Sequence, residues 1–263
     1  DLYLMGSSAQ TISTGGGTIA IKGETIIGNS NGLTINSGGG AVTFDGVVNS
    51  GNSYSLVSGS LDWTAALAAA KSGSGANAGD TYLATITSRL ENAIASRAAN
   101  YQTAWLGGRR IVGLGTDNSW RWVAGPEGLQ DSGNGLIFFT QNTTGSGGTT
   151  PTGAYSNWSS GEPNNSGASN TSSEGESVIQ FTGTMGKWND LPKTGYTLSY
   201  YLKETNAVPS PLTVNAGSGN VTFNKSVGVS KNLSSLSVTG NQVSFLGDMN
   251  ITGTGVTVTN TGA

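Results

Sequence analysis

Histidine and cysteine are both absent from the 263 residues. Their absence removes the Ser-His-Asp and Cys-His catalytic arrangements, thiolate chemistry and nearly every ordinary zinc or copper site. Any metal must therefore be held by oxygen. Charged side chains make up only 10 % of the chain, against about 25 % in an average soluble domain, which disfavours helical bundles and coiled coils. The twelve Lys and Arg residues are scattered through a chain of net charge −3; no basic stripe offers counterion release, so no nucleic-acid partner is expected. No apolar run approaches the roughly 20 residues of a spanning helix, so a soluble chain without membrane insertion is expected. Without disulfides there is no redox signal, but a Gly/Ser/Thr/Asn-rich surface with little lysine suits an extracellular setting. The first residue is Asp1 rather than Met, with no charged, apolar leader, so the expectation is a processed chain or a piece of a longer one.

What the chain has in quantity is glycine, 42 residues, and much of it punctuates a repeat. The stretch from Leu33 to Phe44 (LTINSGGGAVTF) returns from Leu212 to Phe223 (LTVNAGSGNVTF), 179 positions later. A shorter version runs from Leu236 to Phe245, which puts successive copies on the order of 24 residues apart, within the range of solenoid coils. Thr18–Ile27 and Ile251–Thr259 read as partial copies. Each unit offers two short alternating strands, such as Leu33/Ile35 and Val42/Phe44, separated by Gly/Ser/Asn turns. So short a unit cannot bury its apolar face alone, so the coils must stack, and a parallel β-helix fits best. A small β-sandwich made by the two flanks satisfies the same alternation. The repeats resemble those of bacterial filamentous haemagglutinins and autotransporter adhesins, over residues 1–51 and 207–263.

Because matching units stand on either side of it, the segment 52–206 reads as a domain inserted into a turn of the solenoid, with its ends close together. All six tryptophans lie in it. Leu61 to Lys71 places Trp63, Leu67 and Ala70 on one helical face. Ser88 to Ala99 opens with Ser-Arg-Leu-Glu, a capping-box arrangement, and places Leu90 and Ile94 on one face. The order then runs through Trp105-Leu106-Gly107-Gly108, Trp120-Arg121-Trp122, Asn157-Trp158, Glu162-Pro163-Asn164, Gly175-Glu176 and Trp188-Asn189-Asp190, closing at Tyr200 to Glu204. This succession resembles a C-type lectin-like domain of the disulfide-free bacterial kind. The fold class expected is thus mostly β: parallel β-helix (solenoid) flanks with an inserted α+β C-type lectin-like domain.

The resemblance implies a calcium site. The Glu-Pro-Asn loop would supply Glu162 and Asn164, with Pro163 in cis, and the Trp-Asn-Asp strand Asn189 and Asp190. Glu176 would be the fifth ligand if Val178 stands at the family's cysteine position, with Glu174 as the alternative. Three carboxylates and two amide carbonyls form an all-oxygen set suited to a hard divalent cation such as Ca2+. Through that ion the family binds sugars, and the Glu-Pro-Asn order implies mannose-, glucose- or fucose-like glycans held by Glu162, Asn164, Glu176 and Asn189. The same ion could serve only to stiffen loops. Departures from the family are the long polar linker from Asn165 to Glu174 and Lys193, which stands where the partner cysteine would be.

The tryptophans fall at positions that resemble core rather than sugar platforms. Glu162 and Glu176 could be read as a glycosidase pair, but a cation holding both ionised would deprive the general acid of its proton, so no enzyme is expected. The glycine runs 145–148 and 38–40 lack the context of a phosphate loop and read as turns. The Asn-x-Ser/Thr matches at Asn142, Asn157 and Asn232 follow from composition. Neither end carries a polar cap: Asp1 to Met5 is apolar and Val256 to Thr259 still reads as strand. Either the chain continues, or copies stack head to tail into a filament, with the N-terminal segment completing a neighbour's coil. The function expected is an extracellular surface adhesin or filament subunit that binds glycans through calcium. The rivals are a purely structural sheath or fibre subunit whose lectin-like insert binds no sugar, and a phage receptor-binding fibre.

Overall fold

The computed structural model describes residues 1–4, 8–28, 32–111, 118–142, 146–166 and 174–262. It divides into two compact units, residues 1–53 with 207–263 and residues 54–206, and both are mostly β.

In the first unit the chain visits three sheets in turn. Gln10–Ser13, Ile19–Ile21 and Thr25–Ile27 lie one in each sheet, and Leu33–Asn36, Val42–Phe44 and Val48–Ser50 return to the same sheets in the same order. Each strand pairs parallel with its predecessor. Parallel neighbours need a long crossover, which here is the excursion through the other two sheets. Beyond residues 54–206, Ser210–Asn215 and Val221–Phe223 resume the ladders, with Leu212 opposite Leu33, Val214 opposite Ile35 and Phe223 opposite Phe44. Leu233–Gly240, Val243–Phe245 and Ile251–Asn260 add the next rungs. The 179-residue offset of the repeat is therefore a register of adjacent strands. Like residues fall into columns: Phe44, Phe223 and Phe245 stack with centroids 4.7 and 4.9 Å apart, the spacing of hydrogen-bonded strands. Gly38 and Gly39 turn the chain between sheets with φ of 66° and 116°, a region open to glycine. Gly145 lies outside the described residues.

The reading of two strands per unit misses a third. Val48–Ser50 is buried at every position, so it shows no alternation. Its polar side chains are inside because they are bonded: Asn49 Oδ1 accepts from Ser230 N at 3.3 Å and Ser50 Oγ from Ser210 N at 2.8 Å. After Phe223 this third side shrinks to single bridges, Val48 to Val227 and Val227 to Met249. At the N-terminus Leu2–Leu4 pairs parallel with Thr25–Ile27 of its own chain, so the segment expected to complete a neighbour's coil has a partner in cis; Met5 lies outside the described residues. Residue 52 and residue 207 are adjacent, the Ala207 N–H donating to Asn52 Oδ1 at 2.9 Å.

In the second unit Thr103–Arg110 is flanked by antiparallel Ser119–Trp122 and Glu176–Thr182. Ser119–Trp122 continues to Leu136–Gln141 and Glu176–Thr182 to Trp188–Pro192. Leu198–Thr205 runs parallel to Thr103–Arg110 and antiparallel to Thr81–Leu83, and also pairs with Ser53–Leu61. The first helix is Trp63–Ala70, shorter than the sequence suggests because Asp62 caps it, Oδ1 accepting from Ala65 N at 2.8 Å. The second is Arg89–Ala98, with Ser88 Oγ accepting from Glu91 N. Only half of the expected capping box forms: the Glu91 carboxylate turns to the N–H and hydroxyl of Thr87. Trp63, Trp105, Trp120, Trp122 and Trp188 are all buried and Trp158 is half-buried against Trp120 and Trp188. Among the described residues no helix is long and apolar enough to cross a membrane.

Candidate functional site

Three separated segments of the second unit meet at the end of the Glu176–Thr182/Trp188–Pro192 pair. Alternation on the short strand Trp188–Pro192 buries Trp188 and also Asp190, which has no exposed surface. A buried carboxylate needs donors, and it finds them in the Glu-Pro-Asn loop. Asp190 Oδ1 accepts from Asn164 N at 3.1 Å and Oδ2 from Asn165 N at 2.9 Å. Glu176 starts its strand opposite Pro192, with a register shift before Val178 pairs with Leu191, and is 4 % exposed. Glu162 precedes a cis peptide bond to Pro163, as the resemblance implies, and its buried Oε2 has no hydrogen-bond partner.

These three carboxyl groups feel one another. Burial pushes Glu162 up to about 7, with Asp190 adding to the rise. Glu176 is raised to about 7 by burial, then by Asp190, with Glu162 contributing. Burial likewise raises Asp190, against the backbone N–H bonds of Asn165 and Asn164, which favour its charge. The nearby cation is Arg110, whose own pKa burial lowers while Asp190 and Glu174 raise it.

The two amides are beside this cluster and are already engaged. Asn164 Oδ1 accepts from Ser166 N at 2.7 Å, and Asn189 Nδ2 donates to the Asp190 carbonyl at 2.8 Å. The alternative acid, Glu174, is turned elsewhere: Lys193 Nζ sits 2.9 Å from both of its oxygens and Arg109 3.9 Å away. The Lys193 bond chiefly holds Glu174 below its ordinary pKa. Lys193 thus ties the segment before Glu176 to the end of Trp188–Pro192 by charge. The middle of the long polar linker, residues 167–173, lies outside the described residues.

Two residues that carry this geometry have no role in the sequence reading. Asn165 accepts from Glu176 N at 2.9 Å and gives its own N–H to Asp190, so it links all three segments. It adopts φ of 52°, a left-handed conformation that Asn tolerates best among residues with a side chain. The doubled Asn after Pro163 is the signal that could have found it. Gln141 is buried, accepts from Trp120 Nε1 and donates to the Pro163 carbonyl at 3.2 Å; nothing in its local sequence marks it.

The donor chemistry fits a hard divalent ion: all oxygen, three carboxyls whose charge burial opposes, two of them raised further by Asp190, and one carboxyl oxygen without a partner. The arrangement itself is not a closed cage. Among the described residues no group of three or more Asp or Glu side chains is already poised to hold a metal ion.

No family model matches the chain. Over 120 residues, 45 % of its length, the chain is 33 % identical to Halomucin of Haloquadratum walsbyi, and that stretch is 1 % of the relative. The chain thus spans a very small part of the curated relative it matches. Among solved structures it is similar to the cow C-type carbohydrate-recognition domain of CD23, crystallised in the presence of a GlcNAc2Man3 oligosaccharide, at 23 % identity and a TM-score of 0.38, covering 60 % of this chain and 89 % of that one. A mouse scavenger receptor C-type lectin carbohydrate-recognition domain matches at 18 % identity and a TM-score of 0.39, over 60 % and 92 %. An EPNH mutant of CEL-I matches at 19 % and 0.38, over 60 % and 91 %.

Proposed function

We propose that the chain is an extracellular surface adhesin or filament subunit. In this reading residues 1–51 and 207–263 form a parallel β-helical shaft, and residues 52–206 a C-type lectin-like module that binds glycans through calcium. The observation that carries the lectin reading is the approach of Glu162, Glu176 and Asp190, drawn from three segments, in a site where burial raises all three and the Asp190 charge raises Glu162 and Glu176 further. Glu162, Asn164, Glu176, Asn189 and Asp190 would hold the ion. When bound, calcium supplies the positive charge that keeps the carboxylates ionised, and open coordination positions for two neighbouring sugar hydroxyls. Glu162 and Glu176 accept from those hydroxyls while the amides of Asn164 and Asn189 donate to them, which suits mannose-, glucose- or fucose-like sugars. Asp190, fixed by two N–H groups, positions the other ligands. No enzymatic activity is assigned.

The β-helical reading is supported by parallel, in-register ladders in three sheets visited in fixed order. On its last described rung Val256 and Val258 are 43 % exposed, a surface that a second copy stacked head to tail, or further chain, would cover. The extracellular setting is supported by composition and by the partial likeness to Halomucin.

A second reading, a structural subunit whose lectin-like module binds no sugar, is supported by one observation: the acidic side chains form no ready cage among the described residues. Calorimetric titration with calcium, with and without mannose or fucose, separates the two. The adhesin reading expects calcium heat that Glu162→Ala and Asn189→Ala abolish, and sugar heat only when calcium is present. Absence of calcium heat removes the lectin mechanism, and calcium heat without sugar heat leaves the structural role.

A further inference from the structure

The second unit carries another concave site, built from residues that the calcium reading does not use. Arg89, Asn92, Tyr101, Tyr155, Asn157 and Met185 line an open cleft of ≈ 400 Å3. Two of its rim residues have left-handed backbones, Tyr101 with φ of 54° and Met185 with φ of 44°, and Asn100 beside Tyr101 has φ of 48°. Bulky side chains avoid that region, and such strain persists only where the surroundings impose it. Here they do. The Tyr101 N–H donates to Ser96 O at 3.0 Å and the Asn100 N–H to Arg97 O at 2.9 Å. The turn bearing Met185 is pinned at the Gly186 carbonyl, which accepts from Asn92 Nδ2 at 3.1 Å and Asn157 Nδ2 at 2.7 Å.

This strained backbone exposes apolar surface instead of burying it: Tyr101 is 51 % and Met185 78 % exposed. The floor amides are committed, since Asn92 Oδ1 also accepts from Trp188 Nε1 and Asn157 Oδ1 from Lys187. The groups left to read a ligand are the Arg89 guanidinium and the phenol hydroxyls of Tyr101 and Tyr155. The Tyr155 ring is braced edge-on by Trp188 at 5.7 Å. Burial raises the Tyr155 pKa while the Arg89 charge pulls it back, so that charge is felt inside the cleft.

We propose that this cleft binds a sugar carrying a carboxylate, its ring lying against Tyr101 and Tyr155 under the Met185 thioether and its acid group on Arg89. A guanidinium matches a carboxylate with two parallel hydrogen bonds, and tyrosine offers large amphipathic area with little entropy to lose. Nothing in this arrangement requires a metal, so it stands or falls apart from the calcium site.

The test is calorimetry of the full chain with a galacturonic-acid tetrasaccharide and with its uncharged methyl ester, in EDTA. Binding of the acid is expected, weakened by about tenfold or more for the ester and for Arg89→Gln, on the scale of a lost charge-assisted pair. Tyr101→Ala should weaken it as well. Met185→Gly relieves the backbone and removes the side chain, so it should weaken binding without lowering the thermal midpoint. Equal binding of acid and ester, loss of binding with Glu162→Ala but not with Arg89→Gln, or no heat at all would each overturn the proposal.

Discussion

Single side chains gather the backbone of described loops in the second unit. Asp80 is an example away from the carboxylate cluster: Oδ2 accepts from Ser74 Oγ at 3.1 Å, Gly75 N at 2.9 Å and Asn77 N at 3.1 Å. These bonds, the Asn77 N–H first, hold its pKa below the ordinary 3.8. A depressed carboxyl binds fewer protons folded than unfolded, so its contribution to stability is present above 3.8 and is lost as the pH falls through the folded value. Asp80→Ala should therefore lower the thermal midpoint at neutral pH, and the gap from the parent should close on acidification. A gap independent of pH would assign the effect to lost packing. The cluster of Glu162, Glu176 and Asp190 differs in kind, because burial there opposes charge and donors only partly compensate.

At the scale of elements, the strands of the first unit owe their order to columns of like residues. Phe223 lies between Phe44 and Phe245, nearly parallel to both, and is fully buried, while Phe245 is only half-buried. Phe223→Ala should cost about 3–5 kcal/mol, and Phe245→Ala clearly less because its site can relax into solvent. Denaturant titration followed by far-ultraviolet circular dichroism measures both, while tryptophan emission, which arises only from the second unit, should not move. Equal losses for the two variants would mean that the stack is not the unit of stability. In the second unit the tie between the segment before Glu176 and Trp188–Pro192 is the Glu174–Lys193 pair. Both side chains are partly exposed, and the pair is worth at most about 1 kcal/mol as a surface ion pair.

For the molecule as a whole, each unit has its own core. One is built from the aliphatic and phenylalanine columns, and the other from two clusters around Trp120 and Trp122 and around Trp63 and Trp105. Since Asn52 and Ala207 are hydrogen-bonded neighbours, replacing residues 54–206 by a Gly-Gly link should leave the first unit folded, with its β signal intact and no tryptophan emission. Loss of cooperative unfolding in that deletion would mean that the first unit depends on the second.

Much of this was legible in the sequence. Period-two alternation with a fixed offset between copies pointed to stacked parallel strands, though a β-sandwich satisfied the same pattern; the pairing of Leu212 with Leu33 and Phe223 with Phe44 came from the fold. The absence of His and Cys left only oxygen for a metal, and the ordered Trp, Asn and Glu-Pro-Asn motifs nominated the loops. The third strand, Val48–Ser50, was hidden because Asn49 and Ser50 are buried by virtue of their partners, which no local pattern records. The surroundings of Glu174 and Glu176 were likewise not readable from spacing, although the resemblance favoured Glu176 as the ligand. Only the fold brings Lys193 to one and Asp190 to the other, since a carboxyl's role is set by the charges and donors that long-range pairing places beside it.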